Sequence, residues 1–276
     1  MITELQSKRL MLKPYAKWSP LLENCCLLLS ANESYERAAE DVQILTGRAV
    51  SKSSQQRMVH RQDFTSLELN TPVEEMSLDG GKVRLRTPKG EPSQWRDYKA
   101  ITLHDHGVQA FFQDNDGLVA WANDCPKADP VICLGDGHDG IWNIFAKIGE
   151  ASQRREILDW YHLIENLGKV GGSPKRLLAA QALLWQGKVE ETIAIFESSR
   201  LISARKFCNY LAKHRSRIVN YEYYQAEGIS IGSGAVESMI KQIGSRIKIS
   251  GAQWSPENVS QVLKHRTAYL NGCLSS

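Results

Sequence analysis

The chain has 276 residues, of which 42% are hydrophobic and 24% are charged, a composition typical of a globular protein with one large or two ordinary domains. No apolar run approaches the roughly 20 residues that a membrane-spanning helix needs, and residues 1–15 lack the continuous apolar core of a signal peptide. We therefore predict a cytoplasmic protein. The net charge of +3 is too small to identify a nucleic-acid-binding protein by itself.

Residues 18–62 have the pattern of successive helices. The last two of these helices resemble a helix-turn-helix. The first of these two is predicted to end near Gly47, and the second to begin around Ser51–Ser53, after a short turn. The second helix carries side chains suited to phosphates and base edges, and the simpler alternative is a helical hairpin with a polar outer face. The candidate DNA-binding residues are Lys52, Gln55, Gln56, Arg57, His60 and Arg61.

The pattern changes to strands from residue 74 to about residue 148. KVRLR alternates, DYKAITLHDHGVQAFFQ supplies one or two further strands, and PVICLG is a short apolar run of the kind that lies in the centre of a sheet. DGIWNIFAKIG is predicted to be a helix. EILDWYHLIENLG starts as a short strand or a helix and continues as a helix.

The remaining sequence is dominated by helical patterns. Residues 173–227 carry no strand signal and separate the strands from a final helical region, so we interpret them as a helical insertion. A last helix is predicted to open at Ser255 and to stop near Gly272. The predicted divisions are 1–70, an N-terminal helix-turn-helix-like DNA-binding region; 71–172, the first part of an α/β core; 173–227, the insertion; and 228–276, the C-terminal part of the core.

Three acids stand in unusual local settings. Asp79 and Asp136 each follow apolar residues and precede glycine, as expected where a buried strand ends in a sharp turn. Glu237 follows Gly232-Ser233-Gly234, where a helix is predicted to start. Two strand-end carboxylates facing one on a helix could hold two divalent metal ions for phosphodiester chemistry. The alternatives are a simple Asp-Gly turn at Asp79 and an ion pair with Lys241 at Glu237.

Two further acids, Asp139 and Asp159, are also candidate functional residues. Asp139 lies three residues after Asp136 and is a rival metal ligand, although it also suits the N-terminus of a helix. Asp159 and His162 lie on one side of a predicted helix start and can form a hydrogen bond. The alternative for this second pair is a local helix cap.

The motifs together resemble the DDE transposases of bacterial insertion sequences, most closely the ISKra-type group, with kinship to the Mutator-like and hAT superfamilies. The resemblance extends from about Ser19 to Leu270. Its motifs are EEMSLDGGKVRLRTPKGE, WRDYKAITLH, CLGDGHDGIWNIF, ILDWYHLIENL and GSGAVESMIKQIGSRIKISGAQWS.

The resemblance implies a ribonuclease-H-like fold: a mixed sheet with flanking helices and a helical insertion before the catalytic Glu. It implies that Asp79, Asp136 and Glu237 hold two Mg²⁺ ions, which Mn²⁺ can replace, and that Asp159 and His162 form the C/DxxH motif. It further implies cleavage and strand transfer of double-stranded DNA at the element ends and at a target, by an assembly of several copies. Arg246 and Lys248 would then neutralise DNA phosphates.

One departure from the family pattern yields an alternative function. Members of this group usually have a longer N-terminal region, so the chain is also interpretable as a truncated transposase remnant that only binds DNA. A third reading, a metal-dependent phosphohydrolase of small substrates, has no use for the cationic segment 200–248 or for residues 34–62.

Overall fold

A five-stranded mixed sheet with helices on both faces forms the centre of this α/β protein. The computed structural model describes residues 6, 17–64, 67 and 69–274, so residues 1–15, on which the absence of a signal peptide was judged, lie outside the described part except for Gln6. None of the described helices combines the length and apolarity needed to cross a membrane. The strands are β1 (Val73–Leu85), β2 (Gln94–Leu103), β3 (Gly107–Phe112), β4 (Lys127–Gly135) and β5 (Arg154–Leu158).

Twelve α-helices of the described residues surround the sheet or precede it. The first six are α1 (Pro20–Ser30), α2 (Tyr35–Thr46), α3 (Lys52–Arg61), α4 (Asn115–Asp124), α5 (Asp139–Phe145) and α6 (Trp160–Gly168). The last six are α7 (Pro174–Trp185), α8 (Val189–Phe196), α9 (Ile202–Lys213), α10 (Tyr221–Ala226), α11 (Gly234–Ile247) and α12 (Pro256–Leu270), with a 3₁₀ turn at Arg215–Arg217.

The strand order is β3-β2-β1-β4-β5. The first three strands form an antiparallel meander, whereas β4 and β5 run parallel to β1 and each follows a helical crossover. Leu78 of β1 pairs with Gly135 of β4, and Gly135 pairs in turn with Leu158 of β5. The residues that follow these three positions therefore lie side by side along one edge of the sheet.

The two faces of the sheet have separate hydrophobic cores because side chains alternate along each strand. Met76 and Leu78 belong to the core formed with α4 to α10. Val83 and Leu85 belong to the core formed with α11 and α12. Asp79 lies an even number of residues before Val83 on the same strand, so its side chain points to the face that α11 covers.

The helical segment 173–227 shares its core with the sheet. Residues of α7 to α10 are buried in the same cluster as β4 and β5. An aromatic group anchors the segment: Trp160 packs against Trp185 and Tyr221 with ring centroids 4.8 and 4.9 Å apart, and the Tyr221 hydroxyl donates to the Leu158 carbonyl at 2.8 Å. The segment is thus fixed to the same sheet edge that carries the acids.

The three N-terminal helices have their own small hydrophobic core, and two of their ends carry the predicted capping residues. Helix α2 ends at Thr46 with Gly47 in the left-handed conformation, and Ser51 caps α3 by accepting from the Ser54 N–H. The end of α2 and the start of α3 therefore lie where the sequence predicted them. The small core consists of Cys26, Leu27, Val42, Val50, Met58 and Val59.

Side chains of α11 and α12 hold the N-terminal helices through the last carbonyl groups of α1. The Arg246 guanidinium donates to the Ser30 carbonyl at 2.7 Å, Arg266 donates to the Ala31 carbonyl at 3.1 Å, and the His265 Nε2 bonds the Leu27 carbonyl at 3.0 Å. The last carbonyls of a helix have no intrahelical partners, and positive groups there also complement the helix dipole. The docking therefore satisfies the Ser30 and Ala31 carbonyls, whereas the Leu27 carbonyl also accepts from the Ala31 N–H at 3.0 Å.

Two local predictions about the sheet region are wrong. Strand β1 does not end or turn at Asp79, because its antiparallel pairing with β2 continues through Asp79–Ala100, Gly80–Lys99 and Gly81–Tyr98. Glycine is required at position 81 by packing, because a Cβ there would lie 2.3 Å from the Tyr98 ring. Helix α4 also lies between β3 and β4, where the sequence pattern was interpreted as strands and no helix was predicted.

We predict that Arg246→Met destabilises the protein by about 1–3 kcal/mol, the usual cost of leaving a buried polar group without its partner. The Ser30 carbonyl would lose its donor, and the guanidinium also stacks over Tyr35 and Trp254 at 5.1 and 5.0 Å. Urea unfolding would measure the free energy of unfolding. Lys248→Met, at an exposed position two residues on, is the control and should change it by less than about 0.5 kcal/mol. Equal effects would refute the docking role.

We predict that His265 makes the fold sensitive to acid. Burial, followed by the charge of Arg246, lowers the pKa of this imidazole from 6.5 to about 3, so below pH 6.5 the unfolded chain binds a proton that the folded chain does not. Stability therefore falls with pH in this window, by up to about 1.4 kcal/mol per pH unit. Urea unfolding between about pH 7 and pH 4 should show a shallower decline for His265→Gln than for the wild type or for His104→Gln, and parallel curves would contradict the assignment.

Candidate functional site

Two of the predicted acids lie side by side on neighbouring parallel strands, Asp79 within β1 and Asp136 just after the end of β4. Asp136 follows the last residue of β4, and Asp79 lies one position beyond Leu78, the residue paired with that last residue. The Asp79 Oδ1 accepts from the Gly80 N–H at 2.6 Å, and the Asp136 Oδ1 accepts from the His138 N–H at 2.8 Å. Parallel register thus brings together two residues that are 57 positions apart in sequence.

Asp159 occupies the equivalent position on the third parallel strand. It follows the end of β5, and its N–H donates to the Gly135 carbonyl at 2.9 Å. Asp79, Asp136 and Asp159 therefore form a row across β1, β4 and β5.

The Asp159 carboxylate is fully buried and fully hydrogen-bonded. Its Oδ1 caps α6 by accepting from the His162 N–H at 2.8 Å. Its Oδ2 accepts from the Ser233 N–H and from the Ser233 hydroxyl, the latter at 2.6 Å. A further backbone bond of 2.9 Å joins the Trp160 N–H to the Ile231 carbonyl. The loop before α11 is thereby tied to the end of β5.

This anchored loop delivers Glu237 to the row of acids. Glu237 lies in the first turn of α11, and its Oε1 is 3.8 Å from the Nδ1 of His162. The side chain is partly exposed, and Lys241 lies 3.9 Å from the other carboxylate oxygen. One acid within β1, one just after the end of β4 and one on a helix start are therefore brought near one another.

The acids share one electrostatic environment. Burial is the largest cause that raises the pKa of Asp79 above its usual value, and the charges of Asp136 and Glu237 raise it further. The Gly80 N–H and the positive charge of His162 act in the opposite direction. Since charges interact measurably only at short range in a protein surrounded by salt, these four side chains belong to one cluster.

His162 is held as a cation inside this cluster. The hydrogen bond to Asp159 is the largest cause that raises its pKa, to about 9, and Glu237 and Asp136 add to the effect. Burial favours neutral Asp159, but the hydrogen bonds from His162 and Ser233 outweigh it and lower the pKa of that carboxyl. Asp159 and His162 consequently form an ion pair with an Nδ1–Oδ1 distance of 3.3 Å.

Two groups of side chains have the chemistry of a metal site. Asp159, His162 and Glu237 each offer one ligand atom, and these atoms lie within 4.8 Å of one another. The Asp159 oxygens, however, are already engaged in hydrogen bonds, and a protonated imidazole has no free lone pair for a metal. The second group, Asp79, Asp136 and Glu237, has ligand atoms that do not all lie within that distance. Each of its carboxylates accepts from at most one N–H donor, and oxygen ligands are those that a hard cation prefers.

Asp139 has a different environment from Asp136. It is the first residue of α5, and its exposed carboxylate forms an ion pair with Lys213 of α9. The hydrogen bond from Lys213 is the first cause that lowers the pKa of Asp139. The geometry therefore favours Asp136 over Asp139 as the acid that faces Asp79.

The structure corrects two of the proposed DNA contacts. Gln55 is 0% exposed, and its amide reaches only the Val50 carbonyl, at 3.4 Å. Arg246 is 1% exposed and holds the end of α1. Helical periodicity places Gln55 on the inner face of α3 beside Met58 and Val59, and it turns Arg246 inward from α11, so these two assignments are wrong.

The other proposed DNA contacts are exposed. Gln56, Arg57 and Lys248 lie on the surface. Lys52 and Arg61 are also exposed and form ion pairs with Glu36 and Glu23. Such exposed pairs are worth little, so these cations remain available to phosphates.

Ser233 is the functional residue that sequence patterns missed. The Gly-Ser-Gly segment at the start of α11 lies close to other protein groups. A Cβ at position 232 would lie 2.6 Å from the Tyr161 ring, and Ser233 donates twice to Asp159. Only the pairing of two segments 74 residues apart reveals this role.

Comparison with known proteins adds no assignment. No protein-family model matches the chain, and no curated protein matches it. The resemblance to DDE transposases thus stays a prediction from motifs, and the geometry of the acids carries the functional argument.

We predict that Asp159→Asn lowers the pKa of His162 from about 9 toward the ordinary value near 6.5, because the anion that stabilises the imidazolium is removed. The raised pKa contributes stability that is complete below about pH 6.5 and is lost as pH rises through 9. The variant should therefore lose less of its stability over this range than the wild type does.

Titration of the imidazole signals by NMR, assigned with His162→Gln, would measure the pKa. Asp139→Asn, which removes a nearby acid outside the cluster, should leave the His162 pKa unchanged. A value near 9 in Asp159→Asn would show that the ion pair is not the cause.

Proposed function

We propose that this protein is a DDE-type transposase that cleaves DNA strands and transfers them in a metal-dependent reaction. The observation that carries the proposal is that parallel register sets Asp79 beside Asp136, with Glu237 near enough for its charge to act on Asp79. The motif resemblance assigns these three acids to catalysis, and the register supports that assignment.

The fold is compatible with this proposal. A mixed five-stranded sheet with flanking helices suits the ribonuclease-H-like core that the resemblance implies. The helical segment 173–227 lies in the sequence between the second acid and the third, where the resemblance expects an insertion. These features support the proposed fold family through the arrangement of elements.

The donor set suits Mg²⁺, with Mn²⁺ as a substitute. Oxygen ligands match the preference of hard cations. Burial, and then the charges of Asp136 and Glu237, raise the pKa of Asp79, and a bound cation would favour the charged carboxylate. Asp79, Asp136 and Glu237 would hold the ions. When bound, such ions activate the attacking hydroxyl and stabilise the leaving oxygen.

The neighbouring residues position this set. Asp159 holds the loop before α11 and the start of α6, so it fixes Glu237 and His162 relative to the strands. The His162 imidazolium lies at the border of the acids and offers a positive charge to an incoming phosphate. Both residues match the C/DxxH motif of the resemblance, and their proposed role is positioning.

Double-stranded DNA is the proposed partner, in the form of element ends and target. The exposed polar side chains Lys52, Gln56, Arg57 and Arg61 of α3 are proposed to contact it, and Lys248 lies nearer to the acids. Phosphate contacts of this kind make binding depend strongly on salt. Assembly of several copies on DNA and a cytoplasmic location complete the proposal.

We predict that Asp136→Asn abolishes metal-dependent cleavage, with a loss of about a thousandfold or more, because several kcal/mol of charge stabilisation would disappear. The amide oxygen can still accept from the His138 N–H, so folding and DNA binding should persist. The assay is nicking of a plasmid that carries this gene with its natural flanking DNA, in Mg²⁺ or Mn²⁺. Asp139→Asn is the matched control and should retain cleavage.

Three outcomes separate the readings. Loss in Asp136→Asn with retention in Asp139→Asn supports the acid assignment, and Asp79→Asn and Glu237→Gln should behave like Asp136→Asn. The reverse pattern would replace Asp136 by Asp139. A wild-type protein that binds this DNA but never nicks it would refute the enzyme and favour a DNA-binding remnant.

A further inference from the structure

A groove of about 530 Å³ opens directly beside Asp79. It lies where β1, β2 and α11 meet, and its volume is in the range of sites that hold small molecules. Its lining combines glycine backbone, one large aromatic ring, one aliphatic side chain and two cations. These residues are Gly80, Gly81, Lys82, Trp95, Ile240 and Lys248.

Glycine at positions 80 and 81 makes room for side chains of β2 beside the groove. A Cβ at position 80 would lie 2.9 Å from the Lys99 ammonium, and one at position 81 would overlap the Tyr98 ring. The Gly80 N–H also bonds the Asp79 carboxylate. The groove and the candidate catalytic acid are therefore joined through a single peptide unit.

Trp95 is the unusual side chain of this groove. It is 46% exposed on β2, opposite Arg84 of β1. Isolated exposed hydrophobic residues are common and need no function. This one, however, shares a concave site with two cations, and it lies next to the acids proposed to act on a phosphodiester.

The cations of the groove are free to meet phosphates. The Lys82 side chain is 67% exposed, and its ion pair with Asp97 has a long separation of 4.0 Å. Lys248 is exposed just beyond the end of α11. An aromatic platform between lysines is the arrangement that proteins use for unpaired nucleic acid, since bases stack on the ring and the backbone follows the charges.

We propose that this groove binds an unpaired segment of the DNA strand next to the scissile phosphate, with one base stacked on Trp95 and the adjoining phosphates at Lys82 and Lys248. The inference rests on the proposed function for its choice of DNA as the nucleic acid. We choose an unpaired strand as the ligand because a base can stack its face on Trp95 only after it leaves the duplex stack.

The experiment measures binding without catalysis. Fluorescence anisotropy would follow a labelled 15-nucleotide oligothymidine, and a blunt duplex of the same length, in buffer with EDTA. The wild-type protein should bind the single strand, and Trp95→Ala should weaken that binding on the order of tenfold. Trp95→Phe, which keeps an aromatic face, should lose much less. Tyr223→Ala removes an equally exposed aromatic ring outside the groove and should bind like the wild type.

The lysines supply a second readout. For single strands, each phosphate contact contributes about 0.7 to the slope of log affinity against log salt. Lys82→Ala and Lys248→Ala should each reduce that slope by this amount. Lys169→Ala, which removes an exposed cation on the segment after α6, should leave it unchanged.

The outcomes separate this inference from the proposed function. Equal affinity of Trp95→Ala and wild type for the single strand would overturn the groove assignment, and so would wild-type binding of the duplex alone. Either result leaves the cleavage test of Asp136 intact. Conversely, Trp95-dependent binding in a protein that never cleaves DNA would keep the groove and refute the transposase.

Discussion

The buried Asp159 carboxylate is the constraint on which the site depends. An acid taken out of water is stable only when hydrogen bonds or a positive charge satisfy it, and here both do so. His162 supplies the charge, and Ser233 supplies two donors from a segment 74 residues away. Because these bonds cannot form unless the end of β5, the start of α6 and the loop before α11 meet, one carboxylate specifies where Glu237 lies.

Helix α11 is held at both ends by interactions of this kind. Ser233 fixes its start to Asp159, and Arg246, near its end, satisfies a carbonyl at the end of α1. Glu237 and the groove residues Ile240 and Lys248 lie on or just after the same helix. The helix therefore connects the N-terminal helices, the acids and the groove, so a displacement of either end would change the geometry of the proposed chemistry.

Local sequence signals predicted most helices and strands. Glycine after a helix gave the end of α2, and serine before a helix gave the start of α3. Apolar runs gave β4 and the helix after it. Strand alternation predicted β1 but misplaced its end, since Asp-Gly-Gly resembles a turn while the glycine at position 81 makes room for Tyr98. Local patterns mispredict a residue when its identity is set by packing against a residue distant in the sequence.

The sequence by itself determined the α/β pattern, the helix-turn-helix outline and the acids worth testing, because caps, turns and periodicity are local properties. Tertiary structure alone decided which acids meet and which cations reach the surface. Parallel register aligned Asp79, Asp136 and Asp159, whereas inward-facing helix positions removed Gln55 and Arg246 from the DNA-binding set. The physical reason is that register, burial and hydrogen-bond partners depend on segments far apart in the chain, which no local pattern encodes.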